Sequence, residues 1–186
     1  MQVFKLKGTK RLKRNFFLKN AVWVAKNLLG KYLVVQKENN LFVGKIFETE
    51  AYIGPEDKAS HAFGGKRTQR TNVMFEIGGI IYVYLIYGKY HCLNIVTGNE
   101  GFPAAVLIRG VKEITGEKRL LDGPGKLCRA FSIDRRDNGK DVVSSKEIFI
   151  VDSGIKPEKI ISTPRIGVDY AGDWAKKNLR FLCLKP

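Results

Sequence analysis

The segment Glu48-Thr49-Glu50-Ala51-Tyr52 spaces two carboxylates and a phenol two residues apart. Alternate side chains of an extended strand share a face, so Glu48, Glu50 and Tyr52 should line up together. A carboxylate at a strand end beside an aromatic ring can hold a water molecule and take its proton, the work of a general base. The plain alternative is a solvated charge at a strand edge. Further along, Tyr82, Tyr84, Tyr87 and Tyr90 gather four of the chain's seven tyrosines into one strand and its turn. Tyr82 and Tyr84 share a face, whereas Tyr87 has the other parity and stands just before Gly88. Tyrosine suits strands for packing alone, yet its ring also stacks on nucleobases. A ring at an exposed turn can wedge into a base step.

Between these two groups runs a loop, Gly54 to Arg70. Its tip, Gly64-Gly65-Lys66-Arg67-Thr68-Gln69-Arg70, mixes flexible glycines with cations and small donors, as phosphate-contacting loops do. Loops of that length in a compact domain are usually functional or disordered. Gly123-Pro124-Gly125-Lys126 lacks the spacing of a phosphate-binding P-loop and is read as a turn entering a helix.

The elements that must position these residues follow from periodicity. Ala21, Val22, Ala25, Leu28 and Leu29 recur at near-helical spacing before a stop at Gly30. Lys31 to Lys37 and Leu41 to Ala51 read as strands joined by the turn Glu38-Asn39-Asn40. After a turn at Gly78-Gly79 come strands over Ile80 to Tyr87, His91 to Val96 and Ala104 to Arg109. Pro124 to Phe131 reads as a helix, with Pro124 in its first turn. Further strands are expected at Ile148 to Val151 and Phe181 to Leu184. Many strands in hairpin order with few helices predict an α+β fold: one curved, open-barrel-like antiparallel sheet flanked by helices. With no internal repeat and no Pro/Gly/Ser-rich linker, residues 1–186 are read as a single domain. The basic stretch within 1–19 is expected to begin as a mobile arm.

The formal net charge is +15 over 186 residues. It points to a polyanionic partner, because cationic side chains displace counterions from phosphates. No apolar run approaches the roughly 20 residues a membrane-spanning helix needs. The basic amino terminus lacks the apolar stretch of a secretory signal, so an intracellular protein is expected. Cys92, Cys128 and Cys183 are odd in number and form no C-x-x-C pair, and only His61 and His91 could join them. These spacings point to buried thiols, not to a metal site.

Taken in order, Glu48 to Asp57, Ala59-Ser60-His61, Met74-Phe75, Tyr82 to Gly88 and Cys92-Leu93-Asn94 resemble the alkyladenine (3-methyladenine) DNA glycosylase family. The resemblance continues through Leu107-Ile108-Arg109, Gly123 to Cys128 and Arg165-Ile166-Gly167-Val168 to Trp174, and covers most of the chain from about Gly30 onward. It implies a monofunctional glycosylase of base excision repair that flips alkylated purines from duplex DNA and hydrolyses the N-glycosidic bond. It also implies one mixed domain around a curved sheet, no metal or organic cofactor, and action as a monomer; a bacterial-like member would work in the cytoplasm with the DNA. The roles implied are Glu50 as general base, Arg109 orienting that carboxylate and its water, and Tyr52, His61 and Tyr84 as the stacking pocket. Tyr87 would fill the gap left in the duplex, and Asn94 would exclude guanine by crowding its exocyclic amino group. Lys89 follows Gly88 where relatives often carry methionine, adding a cation beside the wedge.

Two rival readings stand beside this one. A non-enzymatic nucleic-acid binding module would keep the basic and aromatic residues and have no need of Glu50 with Arg109. A transfer-RNA-modifying or formyl-transferring enzyme on a similar small barrel would need a cofactor signature, and none is seen.

Overall fold

The computed structural model describes residues 8–183. In chain order the strands are β1 (Lys10–Arg11), β2 (Tyr32–Lys37), β3 (Asn40–Tyr52), β4 (Ile81–Ile86), β5 (Tyr90–Thr97), β6 (Ala104–Glu113), β7 (Leu120–Asp122), β8 (Ile148–Asp152), β9 (Ile160–Thr163) and β10 (Arg180–Cys183). Three α-helices accompany them: α1 (Arg14–Phe17), α2 (Ala21–Leu28) and α3 (Pro124–Ala130). The ten strands form one antiparallel sheet ordered β1-β8-β2-β3-β6-β5-β4, with β7 on β6, and β10 bridging β3 and β9. The sheet does not close, and the fold is α+β as expected.

Strand β3 is the organising element. Its first half pairs with β2 and its second half with β10, while β6 lies along its other edge. The β3–β6 register slips twice near the middle: Ile46 faces Val111, Glu48 faces Gly110, and Thr49 faces Ile108. Phe47 and Arg109 are therefore the extra residues of two offsetting bulges, a device that re-aims side chains without shifting the rest of the ladder. Gly110 is required here, because a Cβ on it would stand 2.6 Å from the Phe47 ring. Past the bulges, alternation resumes. Thr49 and Ala51 face the main core, where the Thr49 hydroxyl donates to the Ala25 carbonyl of α2 at 2.9 Å. Glu48, Glu50 and Tyr52 take the other face.

Helix α2 forms as its pattern predicts. Asn20 caps it by accepting from the Trp23 amide at 2.9 Å; Ala21, Val24, Ala25 and Leu28 are buried; and Gly30, at φ +83°, ends it in the left-handed region. The main core lies between these helices and the sheet. A second cluster, built from Tyr82, Tyr84, Cys92, Met74, Phe75 and Leu107, supports the site.

The basic amino-terminal stretch differs from the expected arm. Residues 1–7 lie outside the described residues, but from Lys10 onward the chain is built into the fold. Arg11 and Leu12 are tied to the 142–150 region, Arg14 pairs with Asp141, and Phe17 is fully buried with its carbonyl accepting from Gly98. One aromatic side chain and two guanidiniums with fixed acceptors outweigh the basic composition. Strands β7 and β9 carry no expectation from the sequence, being too short and too exposed for alternation to show. Strand β4 ends at Ile86, one residue before Tyr87.

Candidate active site

One cavity of about 330 Å³ gathers Glu50, Tyr52, His61, Tyr82, Tyr84, Asn94 and Arg109, with Tyr87 at its rim. The residues come from β3, β4, β5, β6 and the 54–70 loop, so the sheet supplies the floor and the loop one wall.

Glu50 is fully buried. Its Oε1 accepts from the Ile166 amide at 3.1 Å, and its Oε2 accepts from the Tyr52 hydroxyl at 3.0 Å. Burial raises its pKa above the ordinary carboxylate value, and these two donors with the nearby Arg109 and Arg165 guanidiniums offset only part of that shift. Tyr52 is pushed well above the normal phenol range, first by burial and then by the Glu50 charge, so it stays a donor.

Arg109 is placed differently from the expectation. Its Nε lies 2.8 Å from Glu48 Oε1 and 3.8 Å from Glu50 Oε1. The close approach to Glu48 is an ion pair off the N–H axis, leaving that buried N–H without a hydrogen-bond acceptor among the described residues. Glu48 Oε1 also accepts from Arg180 Nε at 2.6 Å. Glu48 is thus committed to two cations, and Glu50 is the carboxylate with one oxygen on a backbone amide and one on a phenol.

The aromatic walls are built by packing. Tyr82 and Tyr84, two apart on β4, have ring centroids 5.4 Å apart, and His61 meets Tyr84 edge-on at 4.5 Å. His61 Nε2 faces the Arg70 guanidinium at 3.2 Å. A guanidinium can only donate, so Nε2 is the acceptor and Nδ1–H donates to the Tyr82 hydroxyl at 3.0 Å. Burial, reinforced by Arg70, lowers the His61 pKa to about 4, leaving a neutral imidazole. Asn94 spends both amide hydrogens on the Tyr82 and Cys92 carbonyls at 3.2 Å each, which fixes its orientation. Cys92 is a buried thiol whose pKa burial pushes up to about 11.

Tyr87 stands apart. It is 92% exposed and sits at φ +52°, followed by Gly88 at φ +64°, with the Lys89 amide closing the turn on the Ile86 carbonyl at 3.0 Å. Two consecutive positive φ values define a type I′ hairpin. Glycine takes that geometry freely; tyrosine takes it at a cost of about 1–3 kcal/mol.

The loop wall is not a free segment. Asp57, fully buried, accepts from the Ile53 and Ala59 amides and takes both ends of the Arg165 guanidinium at 2.6 and 2.8 Å. Arg165 also stacks on the Tyr52 ring at 4.7 Å and donates to the Ala51 carbonyl. Arg165, Asp57, Arg180 and the Ile166 amide carried no assigned role from the sequence. Their partners are more than a hundred residues away, and no local spacing signals them. Among the described residues no cluster of three or more His, Cys, Asp or Glu is arranged to hold a metal ion, and no helix is long and apolar enough to cross a membrane.

A buried carboxylate faces a cavity walled by aromatic rings, with an exposed aromatic at its rim, on a strongly basic chain. The sequence model of the methylpurine-DNA glycosylase family matches residues 15–185. The chain belongs to that family, whose members are DNA-repair hydrolases acting on DNA. Among its relatives, each carrying the name "Putative 3-methyladenine DNA glycosylase", the one from Methanocella arvoryzae is 48% identical over 183 residues, covering 91% of this chain and 90% of its own. The relative from Anaeromyxobacter sp. is 46% identical (92% and 88% covered), and that from Clostridium perfringens strain 13 is 43% identical (87% and 89%).

The electrostatics of the pocket are directly measurable. In an NMR titration the His61 ring should change protonation near pH 4, not near the ordinary 6.5. A midpoint close to 6.5 would mean that the imidazole is solvated and the pocket wall is open.

Proposed function

We propose that the chain excises 3-methyladenine and related alkylated purines from duplex DNA by water attack alone, with Glu50 as general base. The observation that carries this reading is the contrast between two neighbouring carboxylates: Glu48 is consumed by Arg109 and Arg180, whereas Glu50 is buried, raised in pKa and oriented by Ile166 and Tyr52. An enzyme reaching the glycosidic bond must first extrude the nucleotide, at a cost of a few kcal/mol. Tyr87 fills the vacated space, and the purine enters the cavity against Tyr52, His61 and Tyr84, with Asn94 crowding the exocyclic amino group of an undamaged guanine.

A purine methylated at a ring nitrogen carries positive charge and leaves readily. The C1′–N bond breaks, its electron pair neutralises the departing base, and a water oxygen bonds to C1′ while its proton passes to Glu50. The carboxylate's negative charge also favours the developing sugar cation. The free N–H of Arg109 is available to the same water. No strand-cleaving step follows, because the attacking group is water and not a protein amine. The reading needs one chain per lesion.

Glu50→Gln keeps the shape but cannot take a proton. Single-turnover release of 3-methyladenine should fall at least about 10²–10⁴-fold with lesion binding retained. Glu48→Gln should keep far more activity while costing on the order of 1–3 kcal/mol in unfolding stability, since two partly buried guanidiniums lose their charge partner. The opposite pattern would assign the base to Glu48.

The turn makes a second, separable prediction. Tyr87→Gly relieves a left-handed tyrosine with no packing to lose, so the variant should be as stable as wild type or up to about 1 kcal/mol more stable. A fluorescent base analogue at the lesion should nevertheless report a smaller extruded fraction. Unchanged extrusion would remove Tyr87 from the flipping step.

A further inference from the structure

One cation in the cavity has no part in the chemistry above. Arg70 ends the basic loop in a turn held by the Asn72 and Thr71 amides, which donate to the Thr68 carbonyl. Its guanidinium lies 5.2 Å from the centroid of the Tyr84 ring, and its Nη2 donates to His61 Nε2 at 3.2 Å. It therefore rests on two of the side chains that would receive a base. The other guanidiniums at the site have carboxylate partners: Arg109 and Arg180 share Glu48, and Arg165 is bidentate on Asp57. Among the described residues no carboxylate pairs with Arg70. Arg165 already covers one face of Tyr52 at 4.7 Å, so a guanidinium lies against each of the two tyrosine walls.

We propose that Arg70 is a specificity-determining residue that tilts the pocket away from cationic purines and toward neutral modified purines with acceptor atoms; this rests on the glycosylase reading. A purine with a fixed positive charge competes with Arg70 for the same aromatic ring and is repelled by it at short range. To enter, it must displace the guanidinium from Tyr84 and His61 or lie beside it, and both lower its affinity. A neutral purine with a carbonyl oxygen or an unsubstituted ring nitrogen offers the same guanidinium acceptors in place of His61 Nε2. His61, kept neutral by burial, adds no second charge to this wall.

The test compares equilibrium binding of two duplexes that carry a single uncleavable 2′-fluoro nucleotide, one cationic (7-methylguanine) and one neutral (hypoxanthine). Wild type, Arg70→Gln and Arg70→Lys are each measured against both and against undamaged duplex. Any phosphate contact made by Arg70 affects the three duplexes alike and cancels in the ratio. Arg70→Gln should shift the cationic-to-neutral preference toward the cationic lesion by about three- to thirtyfold. Arg70→Lys, which keeps the charge, should stay close to the wild-type ratio. An unchanged ratio in Arg70→Gln, a shift toward the neutral lesion, or an equal shift in both variants would each overturn the proposal. Failure of the glycosylase reading looks different: wild type would then bind neither lesion better than undamaged DNA and release no base from the corresponding cleavable 2′-deoxy duplexes.

Discussion

The structure around this site turns on one carboxylate that has none of its surface in water. An unpaired buried charge is costly and ordinarily neutralises. Glu50 avoids that with a backbone amide on one oxygen, a phenol on the other and two guanidiniums within electrostatic reach. The compensation is deliberately incomplete in its effect: burial still outweighs the donors, and the pKa settles above that of a surface glutamate. A carboxylate so placed is a stronger base than one in water.

Much of the architecture serves that one group. The paired bulges at Phe47 and Arg109 bring a guanidinium to the carboxylate face without disturbing the β3–β6 ladder on either side. Strand β10 supplies Arg180, which together with Arg109 occupies Glu48 and leaves Glu50 as the group free of close charge pairing. The Asp57–Arg165 pair locks the start of the loop, backs the Tyr52 ring and sets the Ile166 amide beside Glu50. Each of these features buries charge or strains backbone, as the left-handed Tyr87 does. The core of α2 and the sheet therefore carries the stability that the site spends.

Legibility in the sequence follows the range of the interaction. Runs of β-branched and aromatic residues bounded by turn signals make β2, β3, β4 and β5 visible, and a capped amphipathic pattern makes α2 visible, because in each the signal and the structure lie in the same few residues. The co-location of Glu48, Glu50 and Tyr52 on one face of β3 is readable for the same reason. What alternation cannot carry is the register slip that hands Arg109 to Glu48, since a bulge is decided by the partner strand and by the Phe47 ring lying on Gly110. The Ile166 amide on Glu50, the Arg165 clamp and the Arg70 guanidinium on Tyr84 join loops to strands and leave no periodic trace. The basic amino terminus misleads in the opposite direction: its charge suggests an arm, and Phe17, Arg11 and Arg14 anchor it.

The pH dependence of base release is the most direct measurement of the Glu50 assignment. With 3-methyladenine as the leaving group the substrate is already cationic, so an acid limb reports the enzyme. Glu50 works only when ionised, so the single-turnover rate should fall as pH drops through its raised pKa, with a midpoint above the ordinary 4.5 and above the value near 4 at which His61 titrates. That limb should vanish in the residual activity of Glu50→Gln. A midpoint at or below 4.5, or an acid limb that survives the substitution, would contradict a buried Glu50 as the base.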